Sequence, residues 1–167
     1  MAHTVRAFTI ATLLAVPFVA CRRDTGASPS DIAAVGYEDL SGARHTLAEH
    51  AGKVVLVDVW ATWCPPCRQS LPEVAALQKA GGADYVVLPI SVDKEGWKAV
   101  KPFLEANPGL GLEPVLPAAP GALKAFGSIN AIPTTLVIGK DGRVADRWVG
   151  FRPGRAEQAI KAALSKP

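Results

Sequence analysis

The 167-residue chain is long enough to close one substantial hydrophobic core and to carry a short leader, so a single domain is expected. With 49% hydrophobic and 20% charged residues, its composition excludes both a disordered polymer and a multi-span membrane protein. A net charge of +3, with lysines and arginines scattered and no basic run, gives no reason to expect a nucleic-acid partner.

In chain order, Arg6 precedes an apolar stretch from Ala7 to Ala20 (AFTIATLLAVPFVA), short for a bilayer span and suited to an export signal over residues 1–20. An uncleaved anchor is the alternative. Cys21 comes directly after it, in a context (Phe18-Val19-Ala20-Cys21) that looks like a bacterial lipoprotein processing site, although Phe18 departs from the usual leucine. Lipid attachment at Cys21 and a plain buried cysteine both stay open, and either places the rest of the chain outside the cytoplasm. Residues 21–33 read as a tether and 34–167 as the folded domain.

From Val35 strand and helix signals alternate, as expected of an α/β domain with helices on a sheet. Tyr37 to Leu40 and Arg44 to Leu47 flank Ser41-Gly42 as an N-terminal β-hairpin. Val54 to Trp60 (VVLVDVW) reads as a strand covered on both faces, with Asp58 either a sign against that reading or a residue placed for chemistry. A helix is expected to open at Cys64-Pro65-Pro66-Cys67, since proline is tolerated in a first turn, and Pro72 should kink it. Tyr85 to Val92 is a second strand, with Pro89 suggesting a bulge. Gly96 to Asn107 has helical spacing, Pro108 to Pro120 reads as a loop, and Ala122 to Phe126 as a short helix stopped by Gly127. Thr134 to Gly139 and Arg143 to Val149 are strands joined by Lys140-Asp141-Gly142, and Arg155 to Ser165 is a closing helix.

The chemistry concentrates at Cys64 and Cys67. A helix N-terminus stabilises a thiolate through its free amides and partial positive charge. A thiol of pKa near 8.5 is only about 3% ionised at pH 7, and one lowered to about 7 is half ionised, a gain of roughly fifteenfold in attacking species. Cys64 is then the exposed attacker and Cys67, one turn on, the resolving thiol. A static disulfide would close too short a loop to constrain the unfolded chain much. A structural zinc site needs about four ligands, and only His3, His45, His50 and scattered carboxylates accompany the pair, so neither a metal nor another cofactor is expected.

Lys53 to Pro72 (KVVLVDVWATWCPPCRQSLP) closely resembles the active-site segment of the thioredoxin superfamily, and in particular its TlpA/ResA-like extracytoplasmic thiol-disulfide oxidoreductases. Ile132-Pro133-Thr134 resembles the family's cis-proline loop, and residues 94–130 resemble its central insertion. The resemblance implies a thioredoxin-like fold, a central mixed β-sheet flanked by helices. It implies a reductase of extracytoplasmic protein disulfides, of the cytochrome c maturation or copper-site assembly type, recharged by a membrane electron donor. Trp63, Pro65, Pro66, Ile132 and Pro133 would form the surface that meets substrate, with the Ile132 backbone pairing to an extended segment. Asp58 falls where thioredoxin keeps a buried acid, and desolvation there would make it a proton acceptor for Cys67. Ser70 stands where many relatives carry glutamate, and Pro89 near where thioredoxin has a lysine. From the residues alone Pro133 could as well be trans, Trp60 is expected in the core, and Arg68 either assists the thiolate or is solvated. The rival functions are a Cu(I)-binding protein using the same two cysteines and a thiol peroxidase.

Overall fold

A run of seven residues, six apolar and one acid, builds the centre of the molecule. The computed structural model describes residues 27–166, and in it Val54–Trp60 (β3) is buried along its whole length. Its parallel neighbour is Tyr85–Ser91 (β4), and its antiparallel one is Thr134–Ile138 (β6), which pairs in turn with Val144–Val149 (β7). The order is β4-β3-β6-β7. A strand with neighbours on both edges and cover on both faces has no solvent face, which is why it reads as an almost unbroken apolar run.

Period-two alternation divides the core between the two faces. Val54, Leu56 and Trp60 point into one cluster with Leu71 and Val74 of helix Pro65–Ala80 (α2), Val100 of helix Trp97–Ala106 (α3) and Ile160 of helix Arg155–Leu164 (α4). Val55, Val57 and Val59 point into the other, with Ile32, Leu47, Val115 and Phe126. Trp60 is a core residue, its ring tilted 5.5 Å from that of Phe103. Leu56→Ala is expected to cost about 2–5 kcal/mol, read by urea denaturation, because the fully buried site has little room to collapse.

A second, three-stranded sheet covers one end. Gly36–Glu38 (β1) lies between Arg44–Thr46 (β2) and the two-residue strand Leu116–Pro117 (β5). The hairpin turn is wider than the three residues, 41–43, left between the expected strands, because the Asp39 carboxylate gathers the Ser41 and Ala43 amides and the Ser41 hydroxyl into a five-residue loop. Glu38 accepts a 2.8 Å hydrogen bond from the Trp97 indole, which ties this sheet to α3.

Several expectations are corrected. The tether does not reach residue 33: Pro29–Ala33 is a short helix (α1) with a Ser28–Asp31 capping box and a buried Ile32, so apolar burial recruits it into the domain. Residues 108–120 are not simply a loop, since they contain a 3-10 turn at Pro108–Leu110 and β5. Pro89 makes no bulge. The β3–β4 register runs unbroken, because β4 is an outer strand and the Pro89 carbonyl, accepting from Val115 N at 2.9 Å, points away from β3, the side on which its missing N–H would also have pointed. The irregularity lies instead between Val137 and Ile138. Helix α2 continues through Pro72 to Ala80, and the Lys140-Asp141-Gly142 turn closes with Gly142 at φ 74°.

Candidate active site

Strand β3 ends at Trp60, and α2 begins at Pro65 after a four-residue connection. Cys64 is its N-cap residue, with extended backbone, and its sulfur accepts from the Cys67 amide at 3.2 Å. Pro65 and Pro66 fill the first two helical positions, where no amide is needed for an intrahelical bond. Cys64 and Cys67 form a disulfide, with Cα atoms 5.2 Å apart.

Neither sulfur is freely exposed. Cys64 is 3% accessible and Cys67 not at all, which corrects the expectation of an open Cys64. The cover comes from the opposite loop, where the Ile132–Pro133 peptide is cis and the Ile132 carbonyl oxygen lies 3.7 Å from Cys64 Sγ. Trp63, by contrast, is 67% exposed, and Pro65 and Pro66 are exposed beside it. Exposed apolar side chains thus lie beside a recessed disulfide. Arg68 is solvent-facing, with its guanidinium 5.8 Å from the Phe103 ring.

Asp58 sits on the face of β3 that carries Leu56 and Trp60, the α2 side, and is 1% exposed. Thr135 donates a 2.8 Å hydrogen bond to Oδ1, and Oδ2 has no partner. Burial pushes the Asp58 carboxyl up to about 6; the Thr135 bond opposes this and the Glu73 charge adds to it. Pro89 is the residue directly beside it on β4, so that strand offers no cation. Ser70, buried, spends its hydroxyl on the Cys67 carbonyl at 2.8 Å.

Two residues at this site were not singled out in the sequence. Asp93, just beyond β4, accepts from the Thr62 amide at 2.9 Å, the Thr62 hydroxyl at 2.8 Å and the Ser91 hydroxyl at 2.8 Å, so it brackets the segment leading to Trp63 and Cys64. Its signal was only an acid at the end of an apolar strand. Asp93→Ala is expected to cost about 1–3 kcal/mol and to slow thiol exchange, since the amide and hydroxyls lose their acceptor; urea unfolding and an exchange assay on one preparation test both. Glu73, one residue past Pro72, directs its carboxylate inward, Oε2 accepting from Gly154 N at 3.0 Å.

Among the described residues no group of three or more His, Cys, Asp or Glu is arranged to hold a metal ion, and no helix is long and apolar enough to cross a membrane. His45 is held between Asp39 and Glu49, and His50 meets the Tyr37 hydroxyl. Cys21 and the expected export signal lie outside the described residues.

A disulfide between two cysteines at a helix N-terminus, opposite a cis-proline loop on a four-stranded mixed sheet, defines a thioredoxin-fold protein with a redox-type cysteine pair. The family model described as Redoxin matches residues 26–164, and the chain belongs to that family, within the TlpA/ResA-like part of the thioredoxin superfamily. It is similar to the thiol-disulfide oxidoreductase ResA of Geobacillus thermodenitrificans, with 31% identity over 64% of this chain and 60% of that one, less than two thirds of the relative's length. Among solved structures it resembles a thiol:disulfide interchange protein of the thioredoxin family from Chlorobium tepidum, with 30% identity, a TM-score of 0.66, and 78% of this chain and 92% of that chain covered. It also resembles the pneumococcal exposed lipoprotein thioredoxin Etrx1 from Streptococcus pneumoniae, with 28% identity, a TM-score of 0.62, and 76% and 97% covered.

Proposed function

We propose that this protein is a thiol-disulfide oxidoreductase that reduces disulfides of extracytoplasmic proteins through Cys64 and Cys67. The observation that carries the reading is the Cys64–Cys67 disulfide at the α2 N-terminus, with Cys64 against the Ile132 carbonyl. The names of the ResA relative and the Chlorobium tepidum structure support it.

In the reduced protein the Cys64 thiolate, stabilised by the Cys67 amide and the helix N-terminus, attacks one sulfur of a substrate disulfide. The new Cys64–substrate bond forms as the substrate's own S–S bond breaks, and the displaced substrate sulfur takes up a proton. Cys67 then passes its proton to the Asp58 carboxylate and attacks Cys64 Sγ. The Cys64–Cys67 bond forms, the mixed disulfide breaks, and the second substrate sulfur leaves as a thiolate that is protonated in turn. Two electrons pass from the dithiol to the substrate. A dithiol donor must return them, and we assign that part to a membrane electron donor.

Substrate would dock on Trp63, Pro65 and Pro66, with its backbone along Ile132 and Pro133. Lipid attachment at Cys21 would hold the domain at the membrane after export. The exposed-lipoprotein description of the Streptococcus pneumoniae relative supports that placement. The test is the reduction potential of the Cys64–Cys67 pair by equilibration with glutathione, together with turnover of a disulfide protein. A potential at or below thioredoxin's, about −270 mV, with turnover abolished in Cys64→Ser, is the expected result. A value near about −120 mV would make it an oxidant and overturn the direction.

A further inference from the structure

Beneath the cis-proline loop is a cavity of about 20 Å³, bordered by Asp58, Ser70, Glu73, Pro133, Thr135 and Arg152. That is room for one water molecule. Two of these bordering residues each carry a buried carboxylate oxygen, Asp58 Oδ2 and Glu73 Oε1, that has no hydrogen-bond partner in the protein. Buried carboxylate oxygens left without a donor are costly, and two bordering one water-sized space are satisfied together if a water donates one hydrogen to each. The carboxylates come from different elements, β3 and α2, and differ in depth: Asp58 is closed off, whereas Glu73 is half-buried.

We propose that Asp58 and Glu73 act as one acid pair, bridged by a water in this cavity, and that Glu73 is the positioning residue through which the proton taken from Cys67 leaves for solvent. This rests on the oxidoreductase reading above for the source of the proton, and on the cavity alone for the pairing. The proton count closes. Cys67 loses one proton to Asp58, the water receives it from Asp58 while giving one to Glu73, Glu73 releases it at the surface, and no electrons move in these steps.

The surroundings of Asp58 decide how strongly the pair is coupled. From β4 it faces Pro89, from β6 Thr135, and from α2 Glu73, with Cys67 and Ser70 on the same helix. The segment after β7 contributes Arg152, and α4 contributes Ala156. Arg155 of α4 is directed elsewhere, onto the Trp148 ring and the Asp146 carboxylate. Among the described residues Arg152, itself exposed, is the only cation on the cavity wall, so its partly screened charge leaves the two acids to govern each other. The upward push that Glu73 exerts on Asp58 agrees with this placement.

The experiment is an NMR titration of the side-chain carboxyl carbons in the oxidised protein, which involves no exchange chemistry. Wild type is compared with Glu73→Gln, which keeps an oxygen for the Gly154 amide, and with Glu157→Gln, which removes an exposed charge from α4. Asp58 is expected to titrate about half a pH unit or more lower in Glu73→Gln and unchanged in Glu157→Gln. An Asp58 midpoint unmoved in folded Glu73→Gln, or moved equally by both substitutions, overturns the pair. A shifted midpoint in a protein that reduces no disulfide would leave the pair standing and sink the oxidoreductase reading instead. A second readout, the pH profile of mixed-disulfide resolution, is expected to move in the same direction in Glu73→Gln, which loss of packing alone would not produce.

Discussion

Cys67→Ala is expected to accumulate covalent adducts with its protein substrates, while Cys64→Ala accumulates none. The asymmetry follows from position. Cys64 caps α2 and its sulfur is aimed at the Ile132 loop, where a partner would lie, while Cys67 is fully buried one turn along. With the resolving thiol gone, the Cys64–substrate bond has no internal nucleophile to break it, so a transient intermediate persists. With Cys64 gone, the remaining thiol cannot reach a protein. Turnover should fall to the uncatalysed background in both variants, which makes this the largest effect foreseen. Non-reducing gels of cells expressing each variant, with adducts identified after reduction, distinguish them. Adducts at equal level in both would remove the assignment of attacker and resolver.

Asp58→Asn should make the oxidised protein more stable and the reduced protein a slower reductant. Asp58 has a folded-state pKa raised to about 6 from an ordinary 3.8. Between those values the folded protein holds a proton that the unfolded chain has released, so stability declines as pH rises through about 4 to 6 and stays lower above. The two-unit gap corresponds to about 3 kcal/mol. Asparagine still accepts from Thr135 and carries no charge to desolvate. A gain of up to about 3 kcal/mol at pH 8, shrinking to nothing below pH 4, is the expected result of urea denaturation at the two pH values. A loss of stability at pH 8 would mean that Asp58 is not held against its desolvation. Removing the proton acceptor should also slow resolution by Cys67 by about a hundredfold at neutral pH.

What the sequence disclosed depended on how local each feature's cause was. Cys64-Pro65-Pro66-Cys67 declares a helix start by itself, and Asp58 stands out as the one polar residue in an apolar strand. Gly127, Gly142 and the almost unbroken apolar run of β3 are of the same kind. The segment 108–120 is opaque because its one strand, Leu116–Pro117, exists only by pairing with Tyr37 and Glu38, residues remote in the chain, whereas the short helix Ala122–Phe126 and its stop at Gly127 are local and legible. Pro89 and Pro72 were read by rules for isolated elements. Their effect depends on which side of β4 faces away from β3 and on the packing that holds α2, and tertiary structure supplies both. Glu73 was hidden differently: a charged residue on an amphipathic helix reads as solvated, and only the backbone of Gly154, 81 residues away, reveals that it turns inward.

The pairing of β3 with β6 joins Val57 to Leu136, and β1 waits for Pro117. The sheet therefore cannot close around its middle strand until most of the chain has been delivered, and these long-range contacts make the search for the native topology slow relative to a helical bundle of similar size. Before β6 arrives, a chain emerging from the ribosome has the β1–β2 hairpin, the β3–α2–β4 unit and single helices to form, and short hairpins and helices of this kind are marginal alone. The core therefore assembles late, once the strand that closes the sheet has been made.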